Sequence, residues 1–173
     1  MKKNGALSCD FLVIGSGLAG LMTALKLERS GTVFLVTKGR LEDGATEYAQ
    51  GGIAGVTHPD DSFDSHINDT LEAGAGLCRE RTVRTVVSEG PARIRELIEL
   101  GVRFSLREKS ADEPETFALG LEGGHSRRRI LHVEDRTGRE IHRALIARVR
   151  ESKRIRVFEE HFAVDLLSSR HYG

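Results

Sequence analysis

At 173 residues, with 39% apolar and 30% charged residues, the sequence has the composition of a globular chain: one domain, or one domain and the start of another. A formal net charge of +0 gives no global field for nucleic acid or an anionic membrane, and no stretch approaches the roughly 20 apolar residues of a membrane helix. Cys9 and Cys78 lie far apart and form no CxxC pair, so a disulfide scaffold is excluded and reduced thiols in a cytoplasmic protein are expected.

Lys2 and Lys3 precede Asn4, Gly5 and Asp10 rather than a long apolar run, so no secretory leader is expected. Phe11 to Ile14 then form a short apolar run that feeds into Gly15-Ser16-Gly17-Leu18-Ala19-Gly20. A buried strand, a glycine turn and a helix from Leu21 to Arg29 are predicted, with a second strand from Thr32 to Val36. Each glycine has a job: Gly15 permits the tight turn, Gly17 lets a pyrophosphate approach the backbone, and Gly20 lets helix and strand pack closely. The helix start aims free N–H groups at an anion. Strand, glycines, helix and strand together define a dinucleotide-binding opening, where GxGxxG alone would be weak.

An NAD-binding unit would place an acid near the end of the second strand to hold the ribose. Thr37 and Lys38 stand there instead, with the nearest acids at Glu42 and Asp43. Either a solvated turn begins at Lys38, or the cofactor is not NAD held in the usual way and Lys38 lies beside its adenosine half. Gly44 to Gly55 follows, rich in glycine and alanine; it reads as a surface loop or as backbone passing close to a flat ligand.

Asp61 and Ser62 offer N-caps for a helix through Leu71, with Phe63, Ile67 and Leu71 four apart on one face. A second helix is expected over Glu80 to Ser88, with Val83, Val86 and Val87 inward. Gly90-Pro91 should break it and start a third, carrying Ile94, Leu97 and Ile98 and ending at Gly101. Val102 to Phe104 reads as a short strand and Ser105 to Glu115 as a polar loop.

Arg127, Arg128 and Arg129 precede the strand-like Ile130 to Val133. Without interleaved aromatics the basic triplet reads as a solvated face, not a nucleic-acid site. His125 and His132 lack neighbours at ligand spacing, so no metal is expected. Thr137-Gly138 opens a helix to Val149 with Ile141, Leu145 and Val149 on one face, and strands at Ile155 to Phe158 and Ala163 to Leu167 close the chain. The fold class is α/β, a doubly wound Rossmann-like sheet.

With these residues in view, the chain resembles the N-terminal part of the L-aspartate oxidases, a branch of the flavoprotein family shared with succinate dehydrogenase and fumarate reductase. The resemblance covers nearly the whole chain. It rests on the opening from Gly15 to Gly20, Thr37-Lys38-Gly39, Tyr48 to Ala54, Asp64-Ser65-His66 with Asp69-Thr70, Ala73 to Gly76, Glu122 to Ser126, Arg128 to His132, and Thr137-Gly138-Arg139.

The resemblance implies FAD, with Ser16, Gly17, Leu18 and Ala19 at the pyrophosphate and Lys38 near the adenosine. Ala45, Thr46, Glu47, Tyr48, Ala49, Gln50, Gly51 and Gly52 would wrap the flavin end, and backbone around Phe162 and Ala163 would meet the adenine. Membrane-complex relatives carry FAD on a histidine; the matching position here is Ala45, which implies non-covalent FAD. Residues 1–60 are expected to form the dinucleotide-binding βαβ and flavin loop, 61–128 a mainly helical excursion, and 129–173 a return to the FAD domain. The implied chemistry is oxidation of L-aspartate to iminoaspartate, with oxygen or fumarate as acceptor, on the route to NAD through quinolinate synthase.

Glu122 stands out for substrate choice, because an acidic side chain attracts the α-ammonium of L-aspartate and has no such partner on fumarate. A charge-assisted contact of this kind is worth roughly 1.5–3 kcal/mol. In the family the catalytic acid/base and the carboxylate-gripping residues lie beyond Gly173, so no catalytic residue is expected in this chain and the chain alone should be inactive. Two other readings stay open: a soluble fumarate reductase or succinate dehydrogenase-type flavoprotein, and a non-catalytic dinucleotide-binding module.

Overall fold

The computed structural model describes residues 6–108 and 116–168. The stretch from Lys2 to Gly5 and most of the polar segment beyond Glu108 lie outside them. The chain divides into two compact units, residues 1–47 with 142–173 and residues 48–141.

The first unit is built on a three-stranded parallel sheet in the order β1 (Phe11–Ile14), β2 (Val33–Val36), β6 (Ile155–Phe158). Phe11 pairs with Val33 and Val33 with Ile155, in continuous register to Ile14, Val36 and Phe158. Helix α1 (Leu18–Leu27) connects β1 to β2, as the apolar spacing of Leu21, Ala24 and Leu25 requires, since all three are buried. Val33 and Leu35 are fully buried in the central strand. This is the Rossmann-like α/β arrangement expected. The strand predicted over Ala163 to Leu167 does not form: Phe162, Val164, Leu166 and Leu167 are exposed on irregular chain, and no strand pairs with them among the described residues.

The second unit holds α2 (Phe63–Ala73), α3 (Glu80–Glu99) and an antiparallel sheet of very short strands, β3 (Ile53–Ala54), β5 (Ile130–Leu131) and β4 (Leu119–Gly120) in that order. Ser62 caps α2, its hydroxyl accepting the Ser65 N–H at 3.1 Å. Ile67, Val83 and Val87 form the buried seam between α2 and α3. Phe63 is exposed, so the inner face of α2 runs through His66 and Ile67 instead.

Gly90-Pro91 does not break the second helix: α3 is continuous across Pro91. Val83, Val87, Ile94 and Leu97 form one buried face on both sides of the proline, and that burial outweighs the missing N–H, whose cost in a helix interior is about 3 kcal/mol. Val86, expected inward, is exposed because the face is set by Val83 and Val87. Gly101 ends the helix at φ +100°, as predicted. Val102 and Phe104 are buried but form no strand; pairing starts only at Leu106, opposite Phe117. Helix α4 (Thr137–Glu151) buries Ile141, Ala144, Leu145 and Val149. It crosses the division between the units at Ile141/His142.

Candidate functional site

In the first unit the chain leaves β1 at Gly15, whose φ of +107° is costly for any residue with a Cβ, and turns into α1. A Cβ at Gly20 would overlap the Gly15 carbonyl oxygen, so the third glycine is required by the approach of helix to turn. Nothing lies within 4 Å of a Cβ built on Gly15, and Gly17 meets only Thr46 Oγ1 at 3.6 Å. The turn therefore faces open space at the N-terminal end of α1, where free N–H groups favour an anion.

Around this turn lies a cavity of about 350 Å³. It gathers the expected Gly15, Ser16, Gly17, Lys38, Ala45, Thr46, Phe162 and Ala163, together with Thr37 and His161. Backbone stitching explains why residues some 120 apart in sequence meet: Thr37 N donates to Phe158 O at 2.9 Å, and His161 N to Thr37 O at 3.0 Å. The Ser16 side chain faces Thr37 rather than the cavity, the two hydroxyls being 2.9 Å apart and buried. Any contact from Ser16 to a phosphate must then come from its backbone. Thr46 Oγ1 accepts the Leu18 N–H at 3.2 Å, so a polar acceptor already meets the helix start.

Leu18, Ala19 and Gly20 form the first turn of α1 behind that loop, and Glu47 closes the short 3-10 turn from Ala45 to Tyr48. Lys38 is exposed at the end of β2. Glu42, one of the two acids near that strand, is held by Arg150 at 2.7 Å. Glycine backbone and the Lys38 cation fit the diphosphate and adenosine of a dinucleotide, and Asp43, the acid that also lines the cavity, accepts the Arg40 N–H at 2.8 Å. His142 was not foreseen: buried on α4, its Nε2 lies 3.0 Å from the Ser16 carbonyl oxygen and holds the turn from below. Only its place on the inner face beside Ile141 hinted at it.

Tyr48, Ala49, Gln50, Gly51 and Gly52 belong to the second unit. The Ala49 carbonyl accepts the Gly138 N–H at 2.9 Å. Gly51 has open space around a built Cβ, whereas one at Gly52 would overlap Ile130 and the Leu131 carbonyl. Gly52 is thus demanded by packing on β5 within its own unit. Tyr48 is exposed.

Glu122 lies in the turn between β4 and β5, exposed, with no side-chain partner among the described residues. The turn closes through His125 N to Glu122 O at 3.2 Å. The basic triplet that follows is not uniformly solvated. Arg127 and Arg128 are exposed and line a second cavity of about 590 Å³ with Arg107 and Phe117. Arg129 is wholly buried, its Nε and Nη2 bonded to the two oxygens of Asp61 at 2.8 Å and its Nη1 to Asp69 at 2.6 Å. Sequence gave one faint signal, since Arg129 abuts the apolar Ile130 and Leu131.

These bonds set the titration of the cluster. Burial pushes the Asp69 carboxyl up, but the Ser126 N–H and hydroxyl and the Arg129 guanidinium outweigh it and hold Asp69 at about 2. Asp61 is lowered in the same way, with Arg129 and the Ser62 N–H overcoming burial. His66 is lowered by burial first, then by the nearby Arg129 and His125.

A parallel sheet opening on a glycine turn, with an anion-favouring helix start and a cavity beside it, defines a dinucleotide-binding flavoprotein domain. A family model described as an FAD binding domain matches residues 10–171, and the chain belongs to that family. It is similar to L-aspartate oxidase 2-b, chloroplastic, of Nicotiana tabacum, with 51% identity over 92% of this chain and 24% of that protein. It is also similar to L-aspartate oxidase of Vibrio cholerae, with 45% identity over 95% of this chain and 31% of that protein. Among solved structures, Mycobacterium smegmatis Sdh1 in complex with UQ1 matches with a TM-score of 0.76 and 34% identity, over 89% of this chain and 28% of that one. E. coli quinol fumarate reductase FrdA matches with a TM-score of 0.80 and 26% identity, over 92% and 27%. The chain spans about a quarter to a third of the length of these relatives. No described helix is long and apolar enough to cross a membrane.

Proposed function

We propose that this chain supplies the dinucleotide cradle of an FAD-dependent L-aspartate oxidase. The observation that carries the reading is the cavity at Gly15 to Gly17, which brings Lys38, Thr46, Phe162 and Ala163 to the start of α1. Backbone of Ser16 to Ala19 holds the diphosphate, Lys38 and the chain at Phe162 the adenosine end, and Ala45 to Gly52 the flavin end. The chemistry FAD would supply when bound there is acceptance of a hydride from the α-carbon of L-aspartate, with oxygen or fumarate as the final acceptor. Ala45 offers no nucleophile to the flavin, so the cofactor is held non-covalently.

Glu122 binds the α-ammonium of L-aspartate and thereby favours it over a dicarboxylate without a cation. Residues 1–60, 61–128 and 129–173 serve respectively as the βαβ with flavin loop, a helical excursion and a return to the FAD domain. The protein works in the cytoplasm, where Cys9 and Cys78 stay reduced, and its iminoaspartate passes to quinolinate synthase; both cysteines are free in the fold. This chain contributes no catalytic acid or base.

The test is to mix the purified chain with FAD, or with NAD as control, and record flavin absorbance after gel filtration. Weak FAD retention with colour released by acid is expected, with no turnover of L-aspartate by the chain alone. Retention of NAD but not FAD would overturn the cofactor assignment. In the full-length protein, Glu122→Gln should raise KM for L-aspartate about 10- to 100-fold, the range a charge-assisted contact supports. Unchanged aspartate oxidation relative to fumarate reduction would sink the role of Glu122.

A further inference from the structure

Asp61, just before α2, and Ser65 and Asp69 on it recur four apart and converge on the guanidinium of Arg129. A cluster that merely joined helices would be redundant here, because Ile67, Val83 and Val87 already join α2 to α3. The buried charges reach elsewhere. Asp69 Oδ2 accepts three donors: the Ser126 N–H at 2.8 Å, the Ser126 hydroxyl at 2.8 Å and Arg129 Nη1 at 2.6 Å. Arg129 Nη1 also lies 3.2 Å from His125 Nδ1; as the guanidinium can only donate, a hydrogen bond there makes Nδ1 the acceptor.

One turn further along α2, Ala73 meets the same loop. A Cβ built on Gly124, where φ is +81°, would lie 3.3 Å from Ala73 Cβ. The segment from Glu122 to Ser126 is thus bonded to α2 at Asp69, passes Ala73 too closely for a side chain at Gly124 to fit without pressing on it, and is closed on itself by the bond from His125 N to Glu122 O. Glu122 occupies the outer corner, its side chain exposed and without a partner among the described residues. Its own contacts do not fix where it points; the seat beneath it does.

We propose that Asp69 and Arg129 are positioning residues that lock the Glu122–Ser126 turn onto α2 and so set the direction in which Glu122 presents its carboxylate. The functional half of this inference rests on the reading of Glu122 as the ammonium-binding group, while the locked turn stands on the geometry alone. Arg129 acts through Asp69 and Ser65, both of which meet Ser126, and through its own approach to His125 Nδ1.

Two measurements test it, and they fail separately. In this chain, amide hydrogen exchange is followed for the wild type, Ser126→Ala, Ser126→Thr and Asp69→Asn. Ser126→Ala and Asp69→Asn should speed exchange at His125 and Ser126 by more than tenfold while β1, α1 and β2 stay unchanged, and Ser126→Thr, which keeps the hydroxyl, should restore the slow rate. Unchanged exchange in the turn, or an equal rise everywhere, would overturn the lock.

In the full-length protein, Ser126→Ala should raise KM for L-aspartate at least threefold with kcat within twofold, and should add nothing in a Glu122→Gln background. If Glu122→Gln raises KM and Ser126→Ala does not, or if the two effects simply multiply, positioning is wrong. If Glu122→Gln itself has no effect, the substrate reading falls and the exchange result alone decides the lock.

Discussion

Arg129 is the residue on which most of the second unit's polar order depends. Replacing it with methionine would keep the bulk but leave Asp61 and Asp69 without their shared cation. Removing one partner of a buried ion cluster costs about 3–5 kcal/mol, and urea denaturation of Arg129→Met should show a loss of that size. Acid acts on the same bonds from the other side. Asp69 titrates at about 2 in the fold against an ordinary value of 3.8, so its contribution is complete above about pH 4 and is lost as pH falls from there through 2. After solvent screening this amounts to about 1–2 kcal/mol. His66 adds in the same direction, because the unfolded ring takes a proton near 6.5 that the buried ring resists. Stability should therefore begin to fall below about pH 6.5 and steepen below pH 4, as a pH series of thermal melts would show; a flat profile down to pH 3 would contradict the cluster. None of this was legible in three consecutive arginines, since only tertiary burial separates Arg129 from Arg127 and Arg128. The opening glycines were legible because each has a local steric reason. Gly20→Ala, which drives a methyl into the Gly15 carbonyl, should cost about 1–3 kcal/mol or more.

Among the elements, β1, α1, β2, α4 and β6 follow from pattern alone, because each carries a complete apolar face at its own period. Helix α3 shows where pattern and local chemistry compete. Gly90-Pro91 is a strong stop signal, yet Ile94 and Leu97 continue the face begun by Val83 and Val87, and long-range burial prevails. Gly90 then sits in a helix interior at an entropic penalty that an alanine would relieve, set against the crowding of its Cβ by the Pro91 ring. Outside its chain neighbours and its own helix backbone, a Cβ there would meet the Ala54 carbonyl oxygen alone, at 3.9 Å. Gly90→Ala should therefore stabilise the chain by about 0.5–1 kcal/mol, largely by restricting the unfolded state, and raise Tm by about 1–4 °C. A lower Tm would mean that the proline turn needs the freedom of glycine. The two-residue strands β3 and β4 were beyond reach of periodicity, which needs at least four residues to show. Conversely, the apolar residues from Val102 to Phe104 and Ala163 to Leu167 looked like strands because hydrophobicity does not report whether a partner strand is available.

On the scale of the whole molecule, the parallel sheet of the first unit places β1 at an edge. Parallel sheets are ordinarily covered on both faces and have their apolar strands inside. Here Leu12 is 52% and Ile14 51% exposed on that edge strand, and the irregular chain after β6 exposes Phe162, Val164, Leu166 and Leu167 as well. An uncovered apolar edge offers unpaired N–H and C=O groups beside hydrophobic side chains, which is a template for another chain. The isolated chain should accordingly self-associate as its concentration rises, and sedimentation velocity should show the average mass climbing. Leu12→Lys places a charge on the edge without touching the buried Val13 or the glycine turn, so it should reduce association and leave thermal stability nearly unchanged. If Leu12→Lys unfolds the first unit instead, Leu12 is packed in solution and the edge is not free. If association persists unchanged, it runs through the exposed chain after β6, and Val164→Lys becomes the variant that must abolish it.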